Sequence, residues 1–498
     1  MASAAGSAGS AEFPEFADVV VVGGGSCGSV LAGRLSEDPN RDVVLVESGP
    51  GHRIPAEFPP ELVDAGVLPV GPDSRWIWPY PVELTSGRAG WIARGRVLGG
   101  SGAVNGGYFV RAQVGDFDHW PESWSYEHVL PFFRAIETDA DFSGPWHGAG
   151  GPIPVRREPP ERWHPISVAF ADAAHSAGHR DDPDKNAPGS HGIGPVPLNI
   201  RDGVRVGPAS AYLLPNLSRP NLTIRSDTTV TRVLFSGAQV VGLEVTTDSD
   251  VRMIRTSTVI LTAGAVATPH LLMLSGVGDA GHLSEVGIPV VADLPAVGAE
   301  FTDHPEVVVP YEYRQPLERT RQTPALQVTL NTDDIEIRPY TASFGDLIPG
   351  SGIGQPCLGV VLMKPRSRGE IRLVSADPAD APRVSYRYLE SDEDRRALRE
   401  AVTHAADLMH RGPMSRLLEP ERIEMSDVWL ADHLGTSLHL SGSCRMGSDE
   451  YSSVVDDRCR VHGVDGLFVV DTSILPSVPS RGPHATAVMV AERASTFL

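Results

Sequence analysis

Two histidines near the end of the chain are the residues best placed to transfer a proton. His439 opens the segment His-Leu-Ser-Gly-Ser, and His484 lies in Gly-Pro-His-Ala-Thr, just before an apolar stretch. Free imidazole has a pKa of about 6.5, so it suits a base that works near neutral pH. A buried strand, Gly466 to Asp471, is predicted between them. Both histidines precede turns that lead toward this strand, so we expect them to meet at one ligand.

Other side chains with chemical potential are less well placed. Ser26 lies in a segment that fits G-x-S-x-G, the nucleophile turn of serine hydrolases, but a dinucleotide pattern explains the same residues better. Arg338 either reaches a polar substrate or, as the favoured interpretation, forms an exposed ion pair with Asp334 or Glu336. The remaining histidines that we considered lie in loops, and no partner is evident for them: His147, His164, His304 and His462. No cluster has metal-ligand spacing, so we expect no metal.

The stretch from Ala17 to Gly49 is the element around which the chain is organised. Val19 to Val22 is an uninterrupted β-branched run, typical of a strand buried in a parallel sheet. Gly-Gly-Gly-Ser-Cys-Gly follows and fits G-x-G-x-x-G, and Ser29 to Leu35 is predicted to be helical. A second strand, Asp42 to Val46, ends in Glu47. Strand, glycines, helix, strand and acid in this order predict a dinucleotide site.

Each glycine of the motif has a separate task. Gly23 permits the tight turn, Gly25 lets backbone approach a pyrophosphate, and Gly28 lets the helix lie close to the strand. The helix N-terminus then faces the phosphates. Glu47 can accept hydrogen bonds from an adenosine ribose and would repel a 2′-phosphate.

Composition limits the classes of function. The 498 residues are enough for two or three domains, and 41% hydrophobic residues are ample for a core. The formal net charge of -21 argues against a nucleic-acid partner. No apolar run reaches the roughly 18 residues needed to span a bilayer. The four cysteines lie far apart, which predicts no disulfide framework and a reduced, cytoplasmic compartment.

The rest of the chain predicts two interleaved domains. Residues 1–13 are rich in Ala, Ser and Gly and are expected to be a disordered tail or tag. The nucleotide-binding domain is predicted to comprise residues 14–150, 221–302 and 431–498, because strand-like runs resume near Asn221 and again at Gly466. Residues 151–220 and 303–430 are predicted to form a substrate-binding domain. Its apolar runs alternate in the manner of an antiparallel sheet.

Four segments together resemble the glucose–methanol–choline (GMC) oxidoreductases, a flavoprotein family. They are GGGSCG at 23–28 with Glu47, GRVLGGSGAVNG at 95–106, GAVATPHLLMLSGVG at 264–278, and HLSGSCRMG…GLFVVDTSILP…GPHATAVMVAERA at 439–494. They occur in family order and span nearly the whole chain. The resemblance implies an α/β fold: an FAD-binding Rossmann-like domain with an interleaved α+β substrate domain built on an antiparallel sheet.

The resemblance also implies FAD as the cofactor and names the residues that bind it. These are Gly23, Gly25, Ser26, Cys27, Gly28, Glu47, Arg96, Gly99, Gly100, Ser101, Asn105, Gly106, Val230, Asp471, Thr472 and Thr486. Val230 would contact the adenine through its backbone, and Asp471 and Thr472 would lie near the ribityl and phosphate groups. Some relatives tether the flavin to a histidine where this chain has Val104, so the FAD is expected to be non-covalent.

By the same resemblance, His439 is the base that removes the hydroxyl proton of an alcohol. His484 would hydrogen-bond the substrate oxygen, and its place at a helix N-terminus favours the neutral ring that this orienting role needs. Many relatives carry the second His or Asn slightly earlier, near the position of Gly482. The flavin would take the hydride.

Segments at 151–157, 196–215, 333–340 and 480–486 resemble the mycofactocin-associated branch of the family. That branch is implied to oxidise reduced mycofactocin and to pass electrons toward the respiratory chain. We expect a cytoplasmic enzyme, with peripheral contact at the inner face of the membrane as an option. The alternatives are an oxidase of small primary or aryl alcohols that makes hydrogen peroxide from dioxygen, a hydroxynitrile lyase of the same fold, and a binding module without catalysis.

Overall fold

A computed structural model of the chain describes residues 14–52, 57–247, 250–320 and 322–498. The expected tail at residues 1–13 lies outside the described residues. A five-stranded parallel sheet organises the first part of the fold. Its strands, in spatial order, are Leu222–Arg225, Val43–Val46, Val19–Val22, Val259–Leu261 and Leu467–Val469. All four pairings are parallel.

This sheet confirms the strand predictions. The valines of Val19–Val22 are buried on both faces, as an uninterrupted apolar run requires. The strand Val259–Leu261 returns beside it, with Val20 opposite Val259, and Leu467–Val469 closes that edge. Three remote parts of the chain therefore present their carboxyl ends at one edge of one sheet.

The first helix begins at once after the glycine turn, as Ser26–Leu35, three residues earlier than the sequence predicts. Gly23 has φ +98° at the turn, a conformation that glycine adopts without strain. A Cβ at Gly28 would lie 1.9 Å from the Gly23 carbonyl oxygen and 2.7 Å from Thr262 Oγ1. Only glycine therefore allows the helix to lie this close to the strands on which it packs.

Two smaller elements flank this sheet. Thr229–Ser236, Gln239–Thr247 and Asp250–Arg255 form an antiparallel meander. Helix Gly264–Leu274 follows the returning strand and ends at Gly276, whose φ of +87° confirms its predicted role after the helix end.

A second sheet is antiparallel, as predicted for the later segment. Its strands, in spatial order, are Leu418–Pro420, Pro305–Tyr313, Cys357–Leu362, Ile335–Pro339, Val328–Asn331 and Gly192–Pro195, and Leu434–Thr436 also pairs with Pro305–Tyr313. Helix Asp392–Met409 packs against this sheet. Its N-terminus is capped by Ser391, whose side chain accepts from the Asp394 amide, as the sequence indicates.

The remaining elements connect these sheets. The strands are Ile77–Thr85, Arg88–Gly95, Glu137–Asp139, Ile153–Val155, Ile200–Arg201, Val204–Arg205, Val277–Gly278, Ala292–Asp293, Glu370–Arg372 and Arg383–Ser385. The helices are Pro60–Val63, Ser101–Val104, Tyr126–Ala135, Pro165–Ser176, Ala280–Glu285, Phe344–Leu347, Gly412–Leu417, Asp427–Asp432 and His484–Ala494. The helix predicted from Ser125 to Ala140 thus ends at Ala135, because the chain turns into a short strand.

The domain boundaries stay a prediction, and the sheets show how the segments interleave. The hairpin Ile77–Thr85 with Arg88–Gly95 pairs with Arg383–Ser385, so segments assigned to different domains share a four-stranded sheet. All four cysteines lie in described stretches, where each is buried and forms no disulfide. In the described parts of the chain, no helix combines the length and the apolar character needed to cross a bilayer.

His147 is a structural residue, and the expectation that it has no partner was wrong. Its ring is 4% exposed and contacts Asp139 at 3.1 Å and Asp184 at 2.7 Å. Burial lowers the pKa of this imidazole, but the acids outweigh burial and raise it to about 10. The two carboxylates also pair with Arg157, so a buried arginine and a histidine of the chain share them.

Replacement of Gly28 by alanine should destabilise the protein and weaken cofactor retention. The new methyl group would overlap the Gly23 carbonyl, so the helix must move off the strands. We expect a loss of about 1–3 kcal/mol in the free energy of unfolding, measured by denaturant titration. Gly150→Ala is the matched control, because its Cβ would meet no heavy atom within 4 Å. Equal stability of the two variants would contradict this account of Gly28.

Candidate active site

Glu47 joins the glycine motif to the second strand of the parallel sheet. Its Oε2 accepts from the Gly24 amide and its Oε1 from the Gly49 amide, both at 2.8 Å. Burial raises the pKa of this carboxyl to about 7, against the two amides and the charge of Arg96. The acid therefore lies beside the glycine turn at the carboxyl edge of the sheet, where parallel sheets bind nucleotides.

The N-terminus of the first helix leaves space for an anion. Gly25 is its N-cap residue, and no side chain caps the free amides. A Cβ at Gly25 would meet nothing closer than the Gly100 Cα, at 3.8 Å. Since a ten-residue helix with free amides attracts anions, these residues fit the pyrophosphate of a dinucleotide.

The second glycine-rich loop contacts the first, as a shared ligand would require. The Gly99 amide donates to the Gly24 carbonyl at 2.7 Å, and a Cβ at Gly100 would lie 2.7 Å from the Gly25 Cα. Ser101 begins a short helix here, and its Oγ accepts from the Gly95 amide at 3.1 Å. The side chain of Arg96 stacks on the Trp78 ring at 4.4 Å.

Several predicted cofactor residues use their side chains within the protein. Asp471 accepts from the Gly264 amide, Thr268 Oγ1 and the Ser473 amide. Cys27 Sγ donates to the Ala487 carbonyl at 3.2 Å, Thr486 Oγ1 accepts from the Ala112 amide at 3.3 Å, and Thr472 Oγ1 donates to the Leu440 carbonyl at 3.2 Å. Any contact that these residues make with a cofactor must therefore share these groups or come from the backbone.

Three more predicted residues adjoin the same loops. The strand that carries Val230 follows Thr228, whose amide donates to the Glu47 carbonyl at 3.0 Å. Ser26 Oγ would lie 2.5 Å from a Cβ at Gly102, so the two glycine-rich loops are in contact there too. A Cβ at Gly106 would meet only Leu68, at 3.8 Å.

His484 begins the last helix, and Asn105 fixes its orientation. Asn105 Nδ2 lies 3.1 Å from His484 Nδ1, and the ring of Phe109 packs edge-on against the imidazole. His484 Nε2 is buried without a hydrogen-bond partner, and it lies 3.1 Å from the Cβ position of Gly102. Burial, reinforced by Arg205, lowers the pKa of His484 to about 4, so the ring is neutral at physiological pH.

His439 is held by its backbone and by a second imidazole. Its amide donates to Asp303 Oδ1 at 2.7 Å, and its Nδ1 lies 2.9 Å from His304 Nδ1. The preceding residue, Leu438, has φ +62°, and Arg94 Nη1 donates to its carbonyl at 2.6 Å. Strained backbone of this kind persists only where its surroundings hold it. Burial, together with the nearby His304 and Arg338, holds the pKa of His439 well below its ordinary value.

His304 is the functional residue that sequence reasoning missed, since the expectation that it lacks a partner was wrong. Asp303 Oδ1 accepts from the His304 amide at 2.7 Å as well as from that of His439. One carboxylate therefore fixes both histidines. The available signal was the Asp-His pair placed directly before the strand Pro305–Tyr313.

The two predicted catalytic histidines border the same short segment. A Cβ at Gly482 would lie 3.5 Å from His439 Nε2, and Gly482 is two residues before His484.

His164 and His462 also have hydrogen-bond partners, so the expectation that they lack them was wrong. His164 Nδ1 accepts from the Ile166 amide, and His462 Nε2 lies within 3.2 Å of Ser453 Oγ and of the Gly447 carbonyl.

Arg338 forms an ion pair with Glu336, as expected, but the expectation of an exposed pair was wrong. Its side chain is 6% exposed. Nε donates to Glu336 Oε1 at 2.6 Å, and Nη1 donates to Glu306 Oε2 at 3.1 Å. Glu306 was missed from sequence because it lies on another strand of the antiparallel sheet.

Comparisons with known proteins agree with this geometry. Two GMC oxidoreductase family models match residues 17–306 and 365–491. An uncharacterized GMC-type oxidoreductase of Rhodococcus erythropolis is 54% identical, over 97% of this chain and 98% of that protein. An oxygen-dependent choline dehydrogenase of Staphylococcus xylosus is 33% identical, over 97% of this chain and 94% of that protein.

Solved structures share the whole fold. The pyridoxine 4-oxidase of Mesorbium loti superposes with a TM-score of 0.89 at 30% identity, covering 97% of this chain and 99% of that one. A formate oxidase superposes with a TM-score of 0.88 at 25% identity, covering 98% of each chain. The chain therefore belongs to the GMC oxidoreductase family, as an FAD-dependent oxidoreductase that acts on an alcohol.

Proposed function

We propose that His439 Nε2 removes the hydroxyl proton of an alcohol while the carbinol hydride leaves for the cofactor. The observation that carries this assignment is the contact between His439 Nδ1 and His304 Nδ1 at 2.9 Å. It occupies Nδ1 of the His439 ring and leaves Nε2 on the side of Gly482, 3.5 Å from the position that a Cβ would take there.

The protonation of His304 decides which nitrogen of His439 is basic. We assign the proton of this contact to His439 Nδ1 and the proton of neutral His304 to its Nε2, which is buried and makes no hydrogen bond within the described chain. His304 Nδ1 then accepts a hydrogen bond from His439 Nδ1–H. A neutral imidazole carries one proton, so His439 Nε2 presents its lone pair to the substrate. Once His439 gains the proton, the same contact stabilises its positive charge.

We assign His484 the opposite role, that of a hydrogen-bond donor to the substrate. Asn105 Oδ1 accepts from the Gly107 amide at 2.9 Å, which turns Asn105 Nδ2 toward His484 Nδ1. The amide therefore donates to Nδ1, and the ring proton must sit on Nε2. His484 Nε2–H is a buried donor without a partner, suited to the oxygen of the alcohol as negative charge develops there.

The glycine loops and Glu47 would hold FAD by the free helix N-terminus and the acid, as described above. FAD, when bound, supplies the hydride acceptor. The chain supplies the base, the donor to the substrate oxygen and the enclosure of both. Burial of the two rings strengthens their hydrogen bonds, because little water competes for them.

For the substrate, we propose reduced mycofactocin, with electrons passing toward the respiratory chain. The support is the sequence resemblance of residues 151–157, 196–215, 333–340 and 480–486 to that branch. An anaerobic screen of alcohols and reduced mycofactocin, followed by flavin absorbance, tests it. The two alternatives give different results. Small alcohols bleach the flavin absorbance of an oxidase, whereas no alcohol bleaches that of a lyase.

Replacement of His439 by alanine should slow flavin reduction by about 10²-fold or more, because the general base is lost. FAD should remain bound, since the hydrogen bonds described for His439 join it to His304, Asp303 and Ser441, which lie outside the glycine loops. Anaerobic stopped-flow reduction gives the rate, and the absorbance ratio gives the FAD content. His410→Ala, at an exposed histidine, is the control. An unchanged rate would remove His439 from the mechanism.

The rate of flavin reduction should stay near its plateau as the pH falls through 6.5. The pKa of His439 lies well below its ordinary value, so the basic form persists to lower pH than that of a free imidazole. The expected decline begins only at a pH well below about 6.5, the value for a free imidazole. A stopped-flow profile with a midpoint near 6.5 would contradict the buried environment of the base.

Turnover in air should yield less than one peroxide per alcohol oxidised, because the proposed acceptor is not dioxygen. Parallel measurements of aldehyde or ketone formed and peroxide released, with an added quinone as the competing acceptor, give this ratio. A ratio of one that quinone does not lower would instead support the oxidase alternative.

A further inference from the structure

A charged cluster adjoins the catalytic base on the antiparallel sheet. It comprises Arg338, Glu336, Glu306, Ser437 and Tyr340. Arg338 lies between the two glutamates, and its Nη1 also donates to Ser437 Oγ at 2.9 Å. Ser437 is two residues before His439, and its amide donates to the His304 carbonyl at 3.0 Å. The cluster is therefore tied directly to the segment that carries the base.

Every carboxylate oxygen of this cluster already accepts a hydrogen bond. Glu306 Oε1 accepts from the Tyr340 hydroxyl at 2.7 Å, and Oε2 accepts from Ser437 Oγ and from Arg338. Glu336 Oε2 accepts from Asn331 Nδ2 at 2.7 Å, and Oε1 from Arg338. Because each carboxylate oxygen is already hydrogen-bonded within the cluster, we expect neither glutamate to bind a cationic ligand well.

Arg338 Nη2 is the group that remains free. It is buried and makes no hydrogen bond within the described chain. The guanidinium is also close enough to the base to lower the pKa of both His439 and His304. A buried donor without a partner is costly unless a ligand satisfies it. Arg338 therefore keeps one buried hydrogen-bond donor unused, in a side chain that is joined through Ser437 to the segment of the base.

The charge balance agrees. The positive charge of Arg338 and that of Arg481 outweigh the effect of burial and lower the pKa of Glu336 to about 2, so Glu336 stays ionised. Two negative charges are thus met by two positive ones, and a quaternary ammonium group would find no unneutralised carboxylate here.

We propose that Arg338 determines substrate class: it admits alcohols with a carbonyl or carboxylate oxygen near the carbinol carbon and excludes cationic alcohols. This inference rests on the proposed function, because it places the alcohol at His439. Arg338 Nη2 donates to the substrate oxygen, and Nη1 keeps Glu306 neutralised. Choline, the substrate named for a 33% identical relative, falls in the excluded class.

Binding of unreactive ligands to the oxidised holoenzyme tests the proposal without turnover. Pivalate, pivalamide and tetramethylammonium have similar size and lack a carbinol, and each is titrated by flavin difference absorbance. Pivalate and pivalamide should bind at least about tenfold tighter than tetramethylammonium. Equal or tighter binding of tetramethylammonium would overturn the proposal.

Two variants should shift this order in opposite directions. Arg338→Met leaves Glu306 unneutralised, so tetramethylammonium should bind roughly tenfold tighter and pivalate roughly tenfold weaker. Glu306→Gln removes one of the two carboxylates that neutralise the positive charge of Arg338, so pivalate should bind tighter. Arg338→Lys keeps the charge but loses the planar fork, so tetramethylammonium should stay excluded. A merely structural role would weaken all three ligands together, and this pattern would overturn the proposal.

If Arg338→Met does not retain FAD, the ligand affinities of Glu306→Gln alone test the proposal. That substitution removes a buried charge, whereas Arg338→Met leaves a buried carboxylate without its partner. The proposed function has a separate readout: anaerobic flavin reduction by choline and by 3-hydroxy-2,2-dimethylpropanoate. If no alcohol reduces the flavin while the order of ligand affinities is as expected, alcohol oxidation is contradicted but the specificity proposed for Arg338 is not. Faster reduction by choline would contradict the specificity but not alcohol oxidation.

Discussion

The contact between two imidazoles, His439 Nδ1 and His304 Nδ1, is the interaction on which the proposed proton transfer depends. Asp303 holds the two residues together, because its Oδ1 accepts from the backbone amides of both. His304 precedes the strand Pro305–Tyr313, whereas His439 follows Leu434–Thr436, which pairs with it. The register of two strands therefore sets the distance between the two rings, on which the basicity proposed for His439 Nε2 depends.

The second ring of the proposed site, His484, is oriented by a different part of the chain, through its contact with Asn105. Asn105 ends the short helix of the second glycine-rich loop, and that loop contacts the dinucleotide motif. The amide that fixes His484 is thus part of the cofactor cradle. A cofactor that orders this loop would also orient His484, which couples occupancy of the cradle to the donor at the substrate oxygen.

The sequence predicted the parallel sheet well because its signals are local. A β-branched run, three glycines and an acid at a strand end each have one physical explanation, and Gly23, Gly28 and Glu47 lie where that explanation requires. Even the N-cap at Ser391 followed from residue type alone. The antiparallel sheet was predicted as a class but not in its pairing, because its strands come from distant segments.

That missing pairing explains the errors at the site. Arg338 was expected to be exposed because its neighbours in sequence, Asp334 and Glu336, are charged, but its second partner Glu306 lies across the sheet. His304 was expected to lack a partner for the same reason, because its partner His439 is far along the chain. Local sequence shows which residues can ionise, whereas burial and cross-strand pairing decide which of them stay charged.

The arrangement separates binding of the cofactor from choice of the substrate. The first depends on backbone amides and close glycine packing at the edge of the parallel sheet, where side-chain identity is tightly restricted. We infer that the second depends on charged side chains of the antiparallel sheet, where Arg338 and Glu306 hydrogen-bond to each other and to Ser437. His304 and His439 adjoin both parts, since the Ser437 amide donates to the His304 carbonyl and His439 Nε2 lies 3.5 Å from the Cβ position of Gly482. In the proposed mechanism, one proton-transfer geometry can therefore serve different alcohols when only the charged side chains around Arg338 change.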